Sequence, residues 1–255
     1  NQRLHDHEQN SALLPFIDHH RYLCALLDDE RVEDIGAGLV GEDFNYMSSD
    51  GNYFVGDTVW HSDGYQRAPG YRSIKLAFYL DAVGRDSGCL RIIPGSHRMG
   101  EAYAETVHET IPNSGSNNSE EDWGIPGTDI PAVAVETKPG DLVVFNHRIK
   151  HASFGGGTRR RMFTINLQQR FRDEDEHLLS ECIGSLAGFC YERVYSPLML
   201  ETADADACAT WSNAWPMVTI CRHWSPKRGR KWPNRTVSES SSRLSSPFCF
   251  LLFLS

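Results

Sequence analysis

The chain has 255 residues, of which 40% are hydrophobic, 11% aromatic and 23% charged. That is material for one large domain or two small ones around a buried core, and it excludes collagen-like, wholly disordered and disulfide-scaffold classes. A formal net charge of −9 leaves no global basic field, so neither a nucleic acid nor an anionic membrane is expected as a partner. The cysteines Cys24, Cys89, Cys182, Cys190, Cys208, Cys221 and Cys249 are scattered, odd in number and form no CxxC pair. That usage argues against a disulfide framework or a zinc knuckle and for a reducing compartment, so a cytoplasmic location is expected.

In chain order, the opening residues Asn1 to Asn10 are polar and carry no signal-like apolar run. A helical flank is expected over 1–37, where Leu13, Leu14, Ile17, Tyr22, Leu23, Leu26 and Leu27 recur at helical spacing, broken by Pro15 and ending toward Gly36. Residues 38–170 read as the β-rich core. Its apolar or alternating runs lie at Asn52–Trp60, Ser73–Asp81, Cys89–Ile93, Ala132–Glu136, Asp141–Phe145 and Met162–Gln168, each bounded by glycine or proline turns. Many short strands and few helices predict a mainly β fold, a jelly roll with flanking helices. The stretch from Asn113 to Asp122 reads as a surface insertion or lid, and 171–206 returns to a helical pattern. Residues 207–255 read as an irregular basic tail. From Arg222 onward seven Lys/Arg face one acid, leaving −15 on the preceding 221 residues. The abrupt change favours a disordered, read-through stretch over a basic arm for an acidic partner, and the apolar run Phe248–Leu254 is too short to span a membrane.

Chemistry concentrates in three places. In Trp60-His61-Ser62-Asp63-Gly64, residues i and i+2 of a strand project from one face, so His61 and Asp63 point the same way. Alone such a triplet is common. His151, 90 residues on, follows the buried run Lys138–Asn146 and supplies a second imidazole from the opposite barrel wall. Two histidines and one carboxylate with open coordination positions make the facial triad of non-heme Fe(II) sites. His147, His97 and His108 are the rivals. After Gly155-Gly-Gly157 come three arginines, Arg159, Arg160 and Arg161, of which alternation turns Arg160 to one face with Met162 and Thr164. A guanidinium near a metal suits a bidentate clamp on a carboxylate. In Ser73–Leu80, Lys75, Ala77 and Tyr79 share one face, and either face could be the inner one.

His61-Ser-Asp63, Ser87-Gly-Cys-Leu-Arg-Ile-Ile-Pro-Gly-Ser-His97, Pro139-Gly-Asp141, His151-Ala-Ser153 and Arg160-Arg161-Met162, in that order, resemble the phytanoyl-CoA dioxygenase family over roughly residues 40–170. The resemblance implies a double-stranded β-helix (cupin-like jelly roll) and an enzyme using Fe(II), 2-oxoglutarate and O2. It implies that His61, Asp63 and His151 hold iron and are catalytic. It implies that Arg160 pairs with the distal carboxylate of 2-oxoglutarate, with Arg161 as fallback because the spacing from His151 is shorter than usual. Lys75 joins the cosubstrate-binding set if its face is inward. A halogenating relative would lack the carboxylate of Asp63, so hydroxylation, desaturation or oxidative cyclisation of a small secondary metabolite is expected. The Ile93–His97 block reads as a structural turn. Tyr65, Asn146 and Phe44-Asn-Tyr-Met47 read as pocket liners. Two other readings stand beside this one: a Zn-dependent hydrolase or isomerase on the same ligands, and a non-catalytic or truncated ligand-binding jelly roll. Substrate identity and oligomeric state are left open.

Overall fold

The computed structural model describes residues 11–113, 120–121, 124–157, 160–187, 195–202 and 250–252. Two sheets face each other, antiparallel throughout except where Phe250–Leu252 runs parallel to Leu142–Asn146. The larger is built from β1 (Ser11–Leu13), β2 (Asn45–Phe54), β4 (Ser73–Tyr79), β7 (Leu142–Asn146), β9 (Arg160–Gln168) and β10 (Phe250–Leu252), in the order β1-β2-β9-β4-β7-β10. The smaller holds β3 (Thr58–His61), β5 (Leu90–Ile92), β6 (Val133–Val135) and β8 (His151–Ser153), in the order β3-β8-β5-β6. This is the jelly roll expected from the sequence. Most strands fall within a few residues of their expected runs, but Asn52–Trp60 divides into the end of β2 and most of β3 around Gly56.

The larger sheet is buried on both faces, which is why its strands read as nearly continuous apolar runs. Its outer face presents Ile74, Leu76, Leu142, Val144, Phe163, Ile165 and Leu167 to the N-terminal and C-terminal helices. Its inner face presents Ala77, Tyr79, Val143 and Phe145, with Met162 at the margin, to Cys89, Leu90, Ile92 and Val135 of the smaller sheet. Behind the smaller sheet, Trp60, Ala152 and Phe154 pack on Ile93, Ile111 and Ile130, and the Trp60 indole donates to the Gly127 carbonyl at 2.9 Å.

The N-terminal flank departs from its expected course. Residues Ser11–Leu13 pair with β2 rather than joining a helix, and helix α1 (Arg21–Cys24) is a single turn. Helix α2 (Glu30–Val40) is capped by the Asp29 side chain, which accepts from the Arg31 amide at 3.0 Å, and it runs through Gly36 to stop at Gly41. Gly36 is a contact residue, not a stop. A Cβ there would lie 2.6 Å from the Phe44 ring, so the missing side chain lets the helix seat against the start of β2. Helix α3 (Ala102–Thr110) follows β5 in the chain, and α4 (Glu176–Ala187) and α5 (Pro197–Thr202) occupy the C-terminal stretch expected to be helical. Within the stretch expected to be irregular, Phe250–Leu252 runs parallel to β7, and the rest of 207–255 lies outside the described residues. So does most of the expected insertion, residues 114–119 and 122. Among the described residues no helix is long and apolar enough to cross a membrane.

Candidate metal centre

His61 and His151 are direct cross-strand partners on β3 and β8, with rings 4.1 Å apart. Each ring is held by its own backbone. His61 Nδ1 lies 2.8 Å from the Val59 carbonyl and His151 Nδ1 lies 2.9 Å from the Ile149 carbonyl. A carbonyl only accepts, so each Nδ1 carries the proton and each Nε2 presents a lone pair. Asp63 sits just past the end of β3, not within it, and its amide donates to the His147 carbonyl at 2.9 Å. Its carboxylate faces both lone pairs: His61 Nε2 is 3.9 Å from Oδ1 and His151 Nε2 is 3.8 Å from Oδ2. The three ligand atoms lie within 4.8 Å of one another. Neighbouring donors each about 2.1 Å from one ion and at right angles sit about 3 Å apart, so a small contraction closes the set.

The electrostatics suit a cation. Burial alone would raise the Asp63 carboxyl, but Lys75 and the surrounding imidazoles of His151, His147 and His61 overcome it and hold the group well below the usual carboxylate range. Burial, reinforced by His61, pushes His151 down to about 3, so its imidazole is neutral at neutral pH. Asp63 Oδ2 is buried and takes a charge-assisted hydrogen bond from the Lys75 ammonium, whose Nζ lies 2.8 Å away. A buried carboxylate whose two oxygens each face an imidazole Nε2 fits a divalent metal. Lys75 therefore belongs to the inner face, which the alternation of β4 left undecided. Among the rivals, His147 spends its Nε2 on the Asn166 side chain at 2.9 Å, and burial pushes it down to about 4. His97 and His108 lie elsewhere, and His108 Nε2 contacts the Ser96 carbonyl at 2.9 Å.

The arginines divide as strand alternation requires. Arg160 is 4% exposed and turns inward. Its Nη1 donates to the Gly88 carbonyl and to Ser153 Oγ, and its guanidinium lies over the Phe54 ring at 4.6 Å. Its Nε is buried with no hydrogen-bond acceptor among the described residues. Arg161 turns out, its side chain 58% exposed, and forks onto Asp81 with contacts of 2.7 and 3.0 Å. Arg159 lies outside the described residues. Ser153, two residues beyond His151 on the same face of β8, accepts from the buried guanidinium and donates to the Gly88 carbonyl at 2.9 Å. Its place in the His151-Ala-Ser153 block assigned it no role, although its i+2 spacing from His151 puts the two on one face. Gly88 is more than the turn residue its sequence context suggests: a Cβ there would come within 2.9 Å of Arg160 Nη1, so the close approach needs glycine.

The phytanoyl-CoA dioxygenase family model matches residues 1–162, taking in the N-terminal flank as well as most of the barrel. The chain belongs to the phytanoyl-CoA dioxygenase family. It is 28% identical over 154 residues to an ectoine dioxygenase of Sphingopyxis alaskensis, covering 53% of this chain and 49% of that protein, so the chain spans about half the length of this curated relative. Similar solved structures include EctD from S. alaskensis with bound Fe, 22% identical with a TM-score of 0.46, covering 63% of this chain and 58% of that one. EvdO2 from Micromonospora carbonacea var. aurantiaca complexed with 2-oxoglutarate is 20% identical with a TM-score of 0.43, covering 62% of this chain and 66% of that one.

In this family member the other expected liners are distributed differently. Phe44 and Tyr46 are core residues on the outer side of the larger sheet, with Tyr46 OH on Asp18 at 2.9 Å, because a bulge between Tyr46 and Ser48 resets the alternation of β2. Tyr65 stacks on His108 and donates to Glu105 at 2.9 Å. Asn146 Oδ1 accepts from the Arg148 amide at 2.9 Å. Beside Lys75, a polar band occupies one end of the larger sheet's inner face. Asp50 Oδ2 accepts from Thr164 Oγ1 at 2.8 Å and from Asn166 Nδ2 at 3.1 Å, and Asn166 Nδ2 also reaches Ser48 Oγ at 3.0 Å. The Ile93–His97 turn is structural as expected: Ser96 Oγ donates to the Ile93 carbonyl at 2.7 Å and accepts from the Lys150 amide at 2.8 Å.

Proposed function

We propose that the chain is an Fe(II)- and 2-oxoglutarate-dependent dioxygenase that oxidises an unactivated C–H bond of a small, polar metabolite. The observation that carries this reading is the convergence of the Nε2 atoms of His61 and His151 on the Asp63 carboxylate, the three ligand atoms lying within 4.8 Å of one another. A buried guanidinium with a spare N–H lies one strand step away through Ser153. His61, Asp63 and His151 would hold the iron. Arg160, with Ser153 beside it, would take the distal carboxylate of 2-oxoglutarate through a charge-assisted contact, and Lys75 would add a second positive charge on the cosubstrate's path to the metal.

Bound iron and 2-oxoglutarate supply the oxidising power: in hydroxylation, 2-oxoglutarate, O2 and R–H become succinate, CO2 and R–OH. The protein's share is positional. The apolar inner face of Ala77, Tyr79, Val143 and Phe145 excludes water from one side of the site. The band of Asp50, Thr164, Asn166 and His147 offers hydrogen-bond partners on the other, which favours a substrate with polar groups over a bare acyl chain. Similarity to an ectoine dioxygenase supports a small metabolite as substrate. Hydroxylation, desaturation and cyclisation remain the reaction classes within this proposal.

The test is succinate release from 2-oxoglutarate with Fe(II) and ascorbate, run with and without a panel of small polar metabolites. Turnover is expected to need both Fe(II) and 2-oxoglutarate and to disappear in His61→Ala, Asp63→Ala and His151→Ala. Full turnover in His151→Ala would sink the ligand assignment. Metal-dependent hydrolysis without 2-oxoglutarate consumption would replace the oxygenase reading.

A further inference from the structure

Resting on the metal-centre reading above, we propose that Asn113 is a positioning residue that sets the angle between the His61 and Asp63 ligands, with Lys150 holding its carboxamide in place. The ladder between β3 and β8 ends at the His61–His151 pair, so the peptide groups of Ser62 have no strand partner. On the other strand the Lys150 amide is taken by Ser96 Oγ at 2.8 Å and the Lys150 carbonyl by the Ile93 amide at 3.0 Å. Ser62 is buried, and its two backbone groups must be satisfied from elsewhere.

Asn113 satisfies both. Its Oδ1 accepts from the Ser62 amide at 3.0 Å and its Nδ2 donates to the Ser62 carbonyl at 2.9 Å, so a side-chain amide continues the ladder where the strand has stopped. Lys150 Nζ, on a fully buried residue, donates to the same Oδ1 at 2.7 Å. Two donors on the oxygen and an acceptor facing the nitrogen leave the carboxamide one orientation. The residue so clamped, through the two peptide groups that flank it, lies between the two candidate ligands of the HxD triplet. Fixing it on both sides constrains how the imidazole of His61 and the carboxylate of Asp63 splay, as supporting hydrogen bonds do around other metal sites.

The experiment is a titration of the metal-free protein with Co(II), read by the visible absorption of the bound ion, with melting temperature measured in parallel. Asn113→Ala is expected to weaken Co(II) binding about tenfold or more and to change the band shape. Asn113→Asp keeps the acceptor for Ser62 and Lys150 but loses the donor, so an intermediate loss is expected. Val40→Ala, in α2 on the far side of the larger sheet, lowers stability without touching this contact and is expected to keep wild-type affinity and spectrum. Wild-type affinity and band in Asn113→Ala would overturn the proposal. So would an equal loss in Val40→Ala, which would mark the effect as general loosening. If Asn113→Ala does not fold, Asn113→Asp carries the test, and wild-type behaviour there overturns it. Wild-type protein that fails to take up Co(II) would sink the metal-centre reading and this inference with it, whereas wild-type uptake with unaffected variants sinks this inference alone.

Discussion

At the scale of single residues, Lys75 and Arg160 show how burial assigns roles that residue type leaves open. Burial works against the Lys75 ammonium, yet Asp63 and Asp50 outweigh it and raise the group, so the lysine stays charged and neutralises Asp63 when no metal does. Lys75→Met should therefore destabilise the metal-free protein. Removing one partner of a buried pair costs about 3–5 kcal/mol, reduced here to about 1–3 because Asp63 retains 26% side-chain exposure. Saturating Co(II) should restore most of that loss, which differential scanning fluorimetry with and without the ion would show. A variant equally stable without metal would mean that the ion pair contributes nothing. For the cosubstrate, Arg160→Ala should raise the apparent constant for 2-oxoglutarate by tenfold or more while leaving Co(II) affinity alone. Lysine restores charge but not the fork, so Arg160→Lys should recover only part. Arg161→Ala is the comparison, since its guanidinium is committed to Asp81 on the outer surface. The opposite ranking in steady-state kinetics would mean that the wrong arginine has been chosen.

At the scale of elements, the N-terminal flank is tied to the C-terminal one through Asp18. Its Oδ1 accepts from Tyr46 OH at 2.9 Å, its Oδ2 from the Ser196 amide at 3.0 Å, and its backbone carbonyl from Ser196 Oγ at 3.0 Å. Burial raises the Asp18 carboxyl above its ordinary range, against the pull of these hydrogen bonds. The sign follows from linkage. A carboxyl raised on folding favours the folded state most when both states are protonated, and that contribution is lost as pH rises from the ordinary carboxylate range through the folded value. Asp18→Asn should remove this pH dependence and hold stability near or above wild type at pH 7. An Asn amide can donate to Tyr46 OH, whose own proton then goes to Ser49 Oγ, already 2.9 Å away. Asp18→Ala should instead cost about 1–3 kcal/mol at every pH by leaving buried partners unmatched. Melting curves between pH 4 and 8 test both, and equal losses in the two variants would refute the linkage argument.

At the scale of the whole molecule, the two sheets meet around a polar, charged centre that holds the Asp63–Lys75 ion pair and the buried Arg160. Binding that favours the folded state raises stability by mass action, about 2.7 kcal/mol at one hundred times the dissociation constant. For a chain of this size that corresponds to roughly 5–10 °C in melting temperature. Co(II) with 2-oxoglutarate should produce such a shift together, and Asp63→Ala should abolish it. A melting temperature indifferent to both ligands would show that the centre is satisfied by the protein alone.

Much of this was legible in the chain itself. The turn-bounded apolar runs, the HxD triplet, the distant His151 and the alternation that separates Arg160 from Arg161 are all local patterns, because strand period and turn chemistry act within a few residues. Other features depended on which surfaces come together. The inward face of β4 could not be chosen from sequence, since helices cover the outer face and make both sides apolar except at Lys75. Gly36 looks like a helix stop until Phe44 is seen against it. Phe44 and Tyr46 look like pocket liners until a one-residue bulge in β2 turns them to the core. Ser153 and Gly88 lie in motif blocks and Asn113 and Lys150 in none, yet the roles of all four arise from contacts with residues 7 to 72 positions away. Sequence thus determined the strands and the ligand types. Only the packing of the two sheets decided which side chains share a face, which cation pairs with the Asp63 carboxylate, and which backbone needs a side chain to complete its ladder.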